Sequence, residues 1–315
     1  MPVKKFIAEL TEGEAVSALF QVRRKQLQNF KNKPGVYLSL SLGDRSGELP
    51  ARAWEDGERL AEAIQAGDIV HVEGEVTSFQ GQLQLNVRNL APAPDTDLDP
   101  ADFLPVTPRD RKEMLDEILA AVQAVTEPHC RALLDRFFGS GTFLKAFSNA
   151  PAAKKNHQPY LGGLMEHTLG VVRLARAVAA FHPDVDVDLL VTGALLHDVG
   201  KIREYTFDRL IDYSDAGRLL GHIVIGIETV NREIQTIPGF PPVLKLKLLH
   251  MLASHHGHYE WQSPKRPKFL EACILHHLDL LDAEIDKFRR AAAQAPEDGE
   301  WSPWIPELGR PVFTG

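Results

Sequence analysis

The sequence predicts a multidomain α and β chain, a small N-terminal β-barrel followed by an all-α helical bundle. Three observations carry that prediction. Residues 1–93 alternate apolar and polar side chains over short runs broken by turn residues, the period of half-buried strands. Residues 109–292 instead repeat apolar side chains at helical spacing, as amphipathic helices do. Between them, residues 94–108 are rich in Pro and Asp, which suits an extended, fairly stiff linker.

In the first segment, Val36 to Leu42 alternates, 43–47 turns through Gly-Asp-Arg-Ser-Gly, and 48–54 resumes the alternation. A short helix is expected over 58–66. Strands follow over 68–76 and 83–87, connected through Phe79-Gln80-Gly81-Gln82. Several short strands with one inserted helix close readily into a small barrel. The run 21–33 holds five Lys or Arg and no acid; it reads as a solvated loop or as a segment that meets phosphates. In the second segment, Met114, Leu115, Ile118, Leu119, Val122 and Val125 mark a first helix. Shorter helices are expected near 128–138 and 141–149, and Gly and Pro break the pattern over 151–163. Longer helices are expected over 164–181, 187–197, 218–235, 243–255 and 268–290. Residues 293–315 are aperiodic, an irregular C-terminal tail that packs on the surface.

Composition narrows the function classes. With 44% hydrophobic and 25% charged residues in 315, the chain has the balance of a soluble globular protein. No run approaches the roughly 18 apolar residues that span a bilayer, so no membrane partner is expected. The N-terminus lacks a signal-peptide apolar core. Two distant cysteines, Cys130 and Cys273, argue against a disulfide scaffold and fit the cytoplasm. A net charge of −8 excludes a globally basic nucleic-acid binder, so any such binding needs a local patch.

Eleven of the 13 histidines fall between His157 and His277, which points to metal chemistry in the helical segment. The ordered candidates are His167 near a helix start, His197-Asp198 at a helix end, His222 after Gly221, His255-His256 at another helix end, and Asp279. Ligands near the ends of different helices can converge in one cavity of a bundle. Imidazole and carboxylate donors without a thiolate suit Mn²⁺, Fe²⁺, Co²⁺ or Mg²⁺. Lys201, three residues after Asp198, stands where a bound phosphate needs positive charge. His182, His250, His258, His276 and His277 read as core or surface residues. His157, before the Gly162-Gly163 turn, reads equally as a substrate contact.

The order H…HD…H…H(H)…D over residues 150 to 290 resembles the HD superfamily of metal-dependent phosphohydrolases. The run Tyr37 to Trp54, with the later Gly-Asp-Ile-Val-His-Val-Glu-Gly-Glu-Val, looks like an OB-fold of the nucleic-acid-binding kind. Together with Ser254-His255-His256-Gly257 and the 271–279 segment, the arrangement resembles the YhaM-type 3′→5′ exoribonucleases over nearly the whole chain. The resemblance implies an OB-fold domain over 1–93 and an HD-type domain over 109–292. It implies two divalent cations, Mn²⁺ first among them. His167, His197, Asp198 and Asp279 would hold one. Asp198 would bridge to a second held by His222 and by His255 or His256, with His255 favoured and His256 a second ligand or a substrate contact. OB barrels hold single strands by stacking bases on aromatics beside cations. The candidates here are Tyr37, Trp54 and Phe79 with Arg23, Arg24, Lys25, Lys31, Lys33, Arg52 and Arg88.

The expected chemistry follows. Paired cations lower the pKa of a shared water from about 15.7 toward about 7, supplying a nucleophile for in-line attack on phosphorus. Lys201 stabilises the developing charge, and His256 is the candidate that protonates the leaving oxygen. The expected substrate is single-stranded RNA, with single-stranded DNA a further one. The alternative is a phosphohydrolase of small nucleotides whose barrel regulates or assembles subunits. A homo-oligomer is the expected assembly.

Overall fold

A computed structural model describes residues 5–30, 32–93, 98–296 and 299–315. Lys31 and residues 94–97 of the expected linker lie outside them. The chain divides into two compact units, residues 1–106 with 207–210, and residues 107–206 with 211–315.

The first unit is an OB-fold, a closed barrel of five strands. These are β1 (Ala15–Asn29), β2 (Val36–Asp44), β3 (Gly47–Ala53), β4 (Ile69–Phe79) and β5 (Gln82–Pro92), with helix α1 (Gly57–Glu62) between β3 and β4. Their order is β1-β2-β3-β5-β4, and β1 pairs with β4 to close the ring. Only the β3–β5 seam is parallel among these ladders, and it pairs just Ala51 with Leu85 and Arg52 with Asn86. Alternate residues point inward, so Phe20, Val22, Leu38, Leu42, Val70, Val72, Val76 and Leu85 are fully buried. That burial, at about 1.5–3 kcal/mol per large apolar side chain, drives closure.

β1 departs from the expectation of a basic loop. Val16, Ala18, Phe20 and Val22 recur at a period of two, and the strand is flanked by partners on both edges. Those ladders override the low strand preference of its polar C-terminal half. A bulge between Val22 and Arg24 then turns Arg23 out of the alternation. Its guanidinium lies over Gly43, where a Cβ would stand 2.3 Å from Arg23 Nε. Residues 98–106 also depart from a simple linker. A 3₁₀ turn, Pro100–Asp102, is capped by the Asp99 side chain, and Phe103 and Leu104 beyond it are about 1% exposed.

The second unit is the helical domain. Its elements are α2 (Arg111–Gln123), α3 (Pro128–Phe138), α4 (Gly141–Asn149), α5 (Gly163–Phe181), α6 (Val187–Leu196), the short α7 (Lys201–Glu204), the two-residue strands β6 (Tyr205–Thr206) and β7 (Asp212–Tyr213), α8 (Asp215–Gln235), α9 (Pro242–Ser254) and α10 (Leu270–Ala292). Side-chain caps start most of these helices: Asp110, Glu127, Ser140, Asp186 and Ser214 each accept first-turn amides. α6 is buried on all sides, from Leu189 to Leu196, so its C-terminal end lies inside the domain. α5, α9 and α10 pack against it. The tail is less irregular than expected, with isolated bridges Trp301–Phe313 and Ile305–Arg310 and a small cluster of Ile305 and Val312 on Ala291 of α10. Among the described residues, no helix is long and apolar enough to cross a membrane.

Phe20 fills the barrel centre with no exposure. Phe20→Ala should cost the barrel about 3–5 kcal/mol, read as a shift of one transition in calorimetric unfolding while the transition of the helical unit stays in place.

Candidate metal centre

The buried end of α6 sets the centre. His197 caps that helix, and Asp198 follows at 2% exposure. The turn to α7 passes Gly200, where an added Cβ would stand 2.0 Å from the His222 carbonyl oxygen. Glycine there lets α7 lie against α8. Within α8, Gly221 leaves helical geometry at φ +72°, a conformation glycine adopts without penalty. The kink frees the His222 amide to donate to Glu204 Oε1 at 2.9 Å.

The candidate donors gather in two groups, His167 with His197 and Asp279, and His222 with His255 and His256. Asp198 stands between them. Its Oδ2 lies 3.5 Å from His167 Nε2 and 3.3 Å from His197 Nε2. Its Oδ1 lies 3.5 Å from His222 Nε2 and 3.6 Å from His255 Nε2. In the first group, His167 Nε2 is 3.2 Å from His197 Nε2 and 3.1 Å from Asp279 Oδ1. Both members of the His255-His256 pair therefore face the second group. Lys201 Nζ reaches Asp198 Oδ2 at 2.6 Å and is itself buried.

The other nitrogen of every ring is tied. His167 Nδ1 meets Asp282 Oδ2 at 2.8 Å, His197 Nδ1 the Ala194 carbonyl at 2.8 Å, and His222 Nδ1 meets Glu204 at 3.1 Å. His255 Nδ1 meets the Leu252 carbonyl and His256 Nδ1 the Trp261 carbonyl, each at 2.8 Å. A carbonyl can only accept, so those three Nδ1 atoms donate. Each of these rings thus directs its Nε2 toward the centre, as the lone pair of a ligand whenever the ring is neutral. Asp198 Oδ1, His222 Nε2 and His255 Nε2 are buried without hydrogen-bond partners. Unpaired buried acceptors are costly, and three that converge fit a cation.

Ionisation follows the same logic. Burial opposes charge on Asp198, but Lys201 and His197 hold its carboxyl well below the usual carboxylate range. Burial likewise opposes charge on Asp279, and His167 and His197 bring its carboxyl down. Burial, with His256 alongside, keeps His255 well below its usual range. Burial and His222 lower His256, so it stays neutral. With Nδ1 donating to Trp261, His256 offers a lone pair rather than a proton, which suits a ligand better than the expected acid. His167 behaves differently. Burial pulls it down, but Asp279 and Asp282 outweigh that and raise it to about 10.

Three supporting residues escape a reading of the sequence. Glu204 orients His222, Asp282 orients His167, and Gln158 Nε2 donates to Asp282 at 3.2 Å. Asp282 carried a signal, since it follows Asp279 by three residues on one helix. Glu204 carried none, because its partner lies across α7 and α8. His157 stacks near His167 with ring centroids 5.2 Å apart and a buried, unpartnered Nε2. Burial and Lys201 keep it well below its usual range. Glu166 accepts from Thr107 and Tyr160, which ties the start of α5.

In the barrel, the expected aromatics do cluster. Tyr37 and Trp54 rings lie 4.8 Å apart, and Phe30, absent from the expected set, lies 5.3 Å from Tyr37. The Arg52 guanidinium sits 5.4 Å from the Trp54 ring and 5.5 Å from Phe79. Trp54 and Phe79 are exposed, and Lys33 lies over Phe30 at 4.1 Å. Arg23 and Lys25 do other work. Arg23 Nη2 donates to the Phe103 carbonyl at 2.6 Å, and Lys25 Nζ donates to the carbonyls of Ala61, at 2.7 Å, and Ile64, so both cations serve the barrel's own backbone. Arg24 is exposed beside Glu48, and Arg88 pairs with Glu75 at 2.7 Å.

Comparison with known proteins agrees with this division. An OB-fold nucleic acid binding domain family matches residues 21–93, and the HD domain family matches residues 164–284. Proteins named 3′-5′ exoribonuclease YhaM are similar over almost the full length. The one from Listeria monocytogenes is 33% identical, covering 95% of each chain. That from Listeria welshimeri is 34% identical over 95% of each, and that from Bacillus licheniformis 32% over 96% of each. With a barrel that clusters aromatics beside an arginine, a buried imidazole–carboxylate centre and this similarity across both units, the chain belongs to the YhaM family of 3′-5′ exoribonucleases.

Proposed function

We propose that the chain is a metal-dependent 3′→5′ exoribonuclease that hydrolyses the phosphodiester bonds of single-stranded RNA. The observation that carries the metal dependence is Asp198, whose two buried oxygens face separate groups of imidazoles. His167, His197, Asp198 and Asp279 would hold one cation, and Asp198, His222, His255 and His256 a second. Mn²⁺ is the proposed ion, consistent with an all-nitrogen and oxygen donor set. Bound cations would supply Lewis acidity, activating water and neutralising phosphate oxygens. The residues of the chain do the rest. Lys201 holds a buried positive charge at Asp198 Oδ2, where it balances charge developing on phosphate. His157 presents its free Nε2 as a substrate contact. Asp282 and Glu204 fix ring orientation.

For the barrel, Tyr37, Trp54, Phe79 and Arg52 form the proposed stacking platform, with Arg24 and Arg88 at its margin. Stacking is indifferent to the 2′-hydroxyl, so single-stranded DNA is a proposed second substrate. The barrel holds the strand and raises its local concentration at the helical domain.

The direct test is a time course with Mn²⁺ and single-stranded RNA labelled at its 5′ end. A ladder that shortens from the 3′ end, and that vanishes with chelator or in Asp198→Ala, is the expected result. An untouched strand in a preparation that hydrolyses mononucleotides would instead mark a small-nucleotide phosphohydrolase.

Three further outcomes are expected. Asp282→Asn should weaken Mn²⁺ binding about 10–100-fold in a calorimetric titration, the usual effect of losing a partner that orients a ligand. Cation binding should release protons and tighten as pH rises toward about 10, because the raised His167 must give up its proton to coordinate; equal heats in buffers of differing ionisation enthalpy would contradict this. Trp54→Ala should raise KM for long strands by roughly 5–150-fold, the range of about 1–3 kcal/mol per stacked base, with little change on dinucleotides.

A further inference from the structure

The segment after His256 combines features that the centre itself does not use. Gly257 adopts φ +75°, and the chain then forms a 3₁₀ turn, Tyr259–Trp261. Tyr259 is 58% exposed and Trp261 48%. Large aromatics are usually turned inward, and two in a single turn are not explained by the core. They are followed by Lys265, Arg266 and Lys268, all exposed. The Arg266 guanidinium lies 5.1 Å from the Tyr259 ring. Aromatics interleaved with cations are the chemistry that holds single-stranded nucleic acid.

The turn is joined to the centre. His256 Nδ1 donates to the Trp261 backbone carbonyl at 2.8 Å, so the turn is bonded directly to a member of the His222–His255–His256 group. The Trp261 ring is braced by His258, with centroids 4.5 Å apart. Backbone bonds from Ser263 to His258 and from Lys265 to Ala253 pin the segment. An aromatic fixed in this way stacks with little loss of side-chain freedom.

We propose that Tyr259, Trp261 and Arg266 form a terminal-nucleotide subsite within the helical domain: Trp261 stacks on the 3′-terminal base, and Tyr259 with Arg266 receives the neighbouring nucleotide. The subsite rests on the exonuclease reading for its substrate. It adds a grip on the strand end that is independent of the barrel platform and sensitive to the presence of a base.

The test uses the full-length protein with Mn²⁺ and two RNA strands, one natural and one abasic at its 3′-terminal residue. On the natural strand, Trp261→Ala should raise KM about tenfold, more than it changes kcat, and Trp261→Phe should restore most of it. Wild type should show the same rise in KM on the abasic strand, where Trp261→Ala adds less than about twofold. Mn²⁺ affinity should stay within about twofold of wild type. An equal loss on both strands, or a fall in Mn²⁺ affinity that Trp261→Phe does not repair, would overturn the subsite and leave Trp261 as a support for His256. Anisotropy of a labelled strand in the uncleaving Asp198→Ala background reads the subsite without catalysis. There, Trp261→Ala should weaken binding of the natural strand and not of the abasic one, and equal binding would count against it. A wild type that cleaves neither strand would defeat the exonuclease reading alone.

Discussion

Asp198 is held at the buried end of α6 with imidazoles on both sides and a lysine at one oxygen. A carboxylate in that position must be charged to accept what surrounds it, and burial resists charge. The rest of the helical domain resolves the conflict. α6 is buried from Leu189 to Leu196, almost wholly by apolar residues, so that its end can lie inside. Gly200 lets α7 close on α8, and Gly221 lets His222 turn inward. Each histidine is anchored through its far nitrogen, three by backbone carbonyls and two by carboxylates. The donors are thus fixed by the fold's own hydrogen bonds, and the charge of Asp198 is balanced by groups the fold cannot move cheaply.

The candidate ligands were legible in the sequence because they are chemically unusual where they occur. A histidine beside an aspartate at the end of an apolar run has few structural uses, and the ordered set made accident improbable. The orienting groups were less legible. Glu204 and Gln158 look like ordinary polar residues until α7 meets α8 and the 151–163 loop meets α10. Their partners are set by tertiary packing, which local pattern does not encode. The sequence leaves the task of His256 open between ligand, substrate contact and acid; the fold sets it beside His222 and His255, and the bond from its Nδ1 to the Trp261 carbonyl makes it an acceptor toward the centre.

In the barrel, alternation identified four of the five strands, and the basic run disguised the fifth. The charged run 21–33 follows directly on the period-two pattern of Val16, Ala18, Phe20 and Val22 and masks its continuation. Arg23 and Lys25 satisfy carbonyls of their own unit, a use that depends on a bulge and a helix end no linear pattern reveals. Tyr37, Trp54, Phe79 and Arg52, singled out as aromatics and a cation on strands or at their ends, do come together on the barrel.

The parallel seam between β3 and β5 joins the barrel through only two residue pairs, Ala51–Leu85 and Arg52–Asn86. It is the thinnest part of the ring, and its amides are the first expected to exchange with solvent through local opening. Trp54 Nε1 donates to Asn86 Oδ1 across this seam at 3.2 Å, and Arg52 belongs to one of its pairs. Anything that stacks on Trp54 and Arg52 therefore also clamps the seam shut. A strand held on the proposed platform would thus add to the cohesion of the barrel, and deuterium uptake along β3 and β5 would report it from inside the protein, without a label on the nucleic acid.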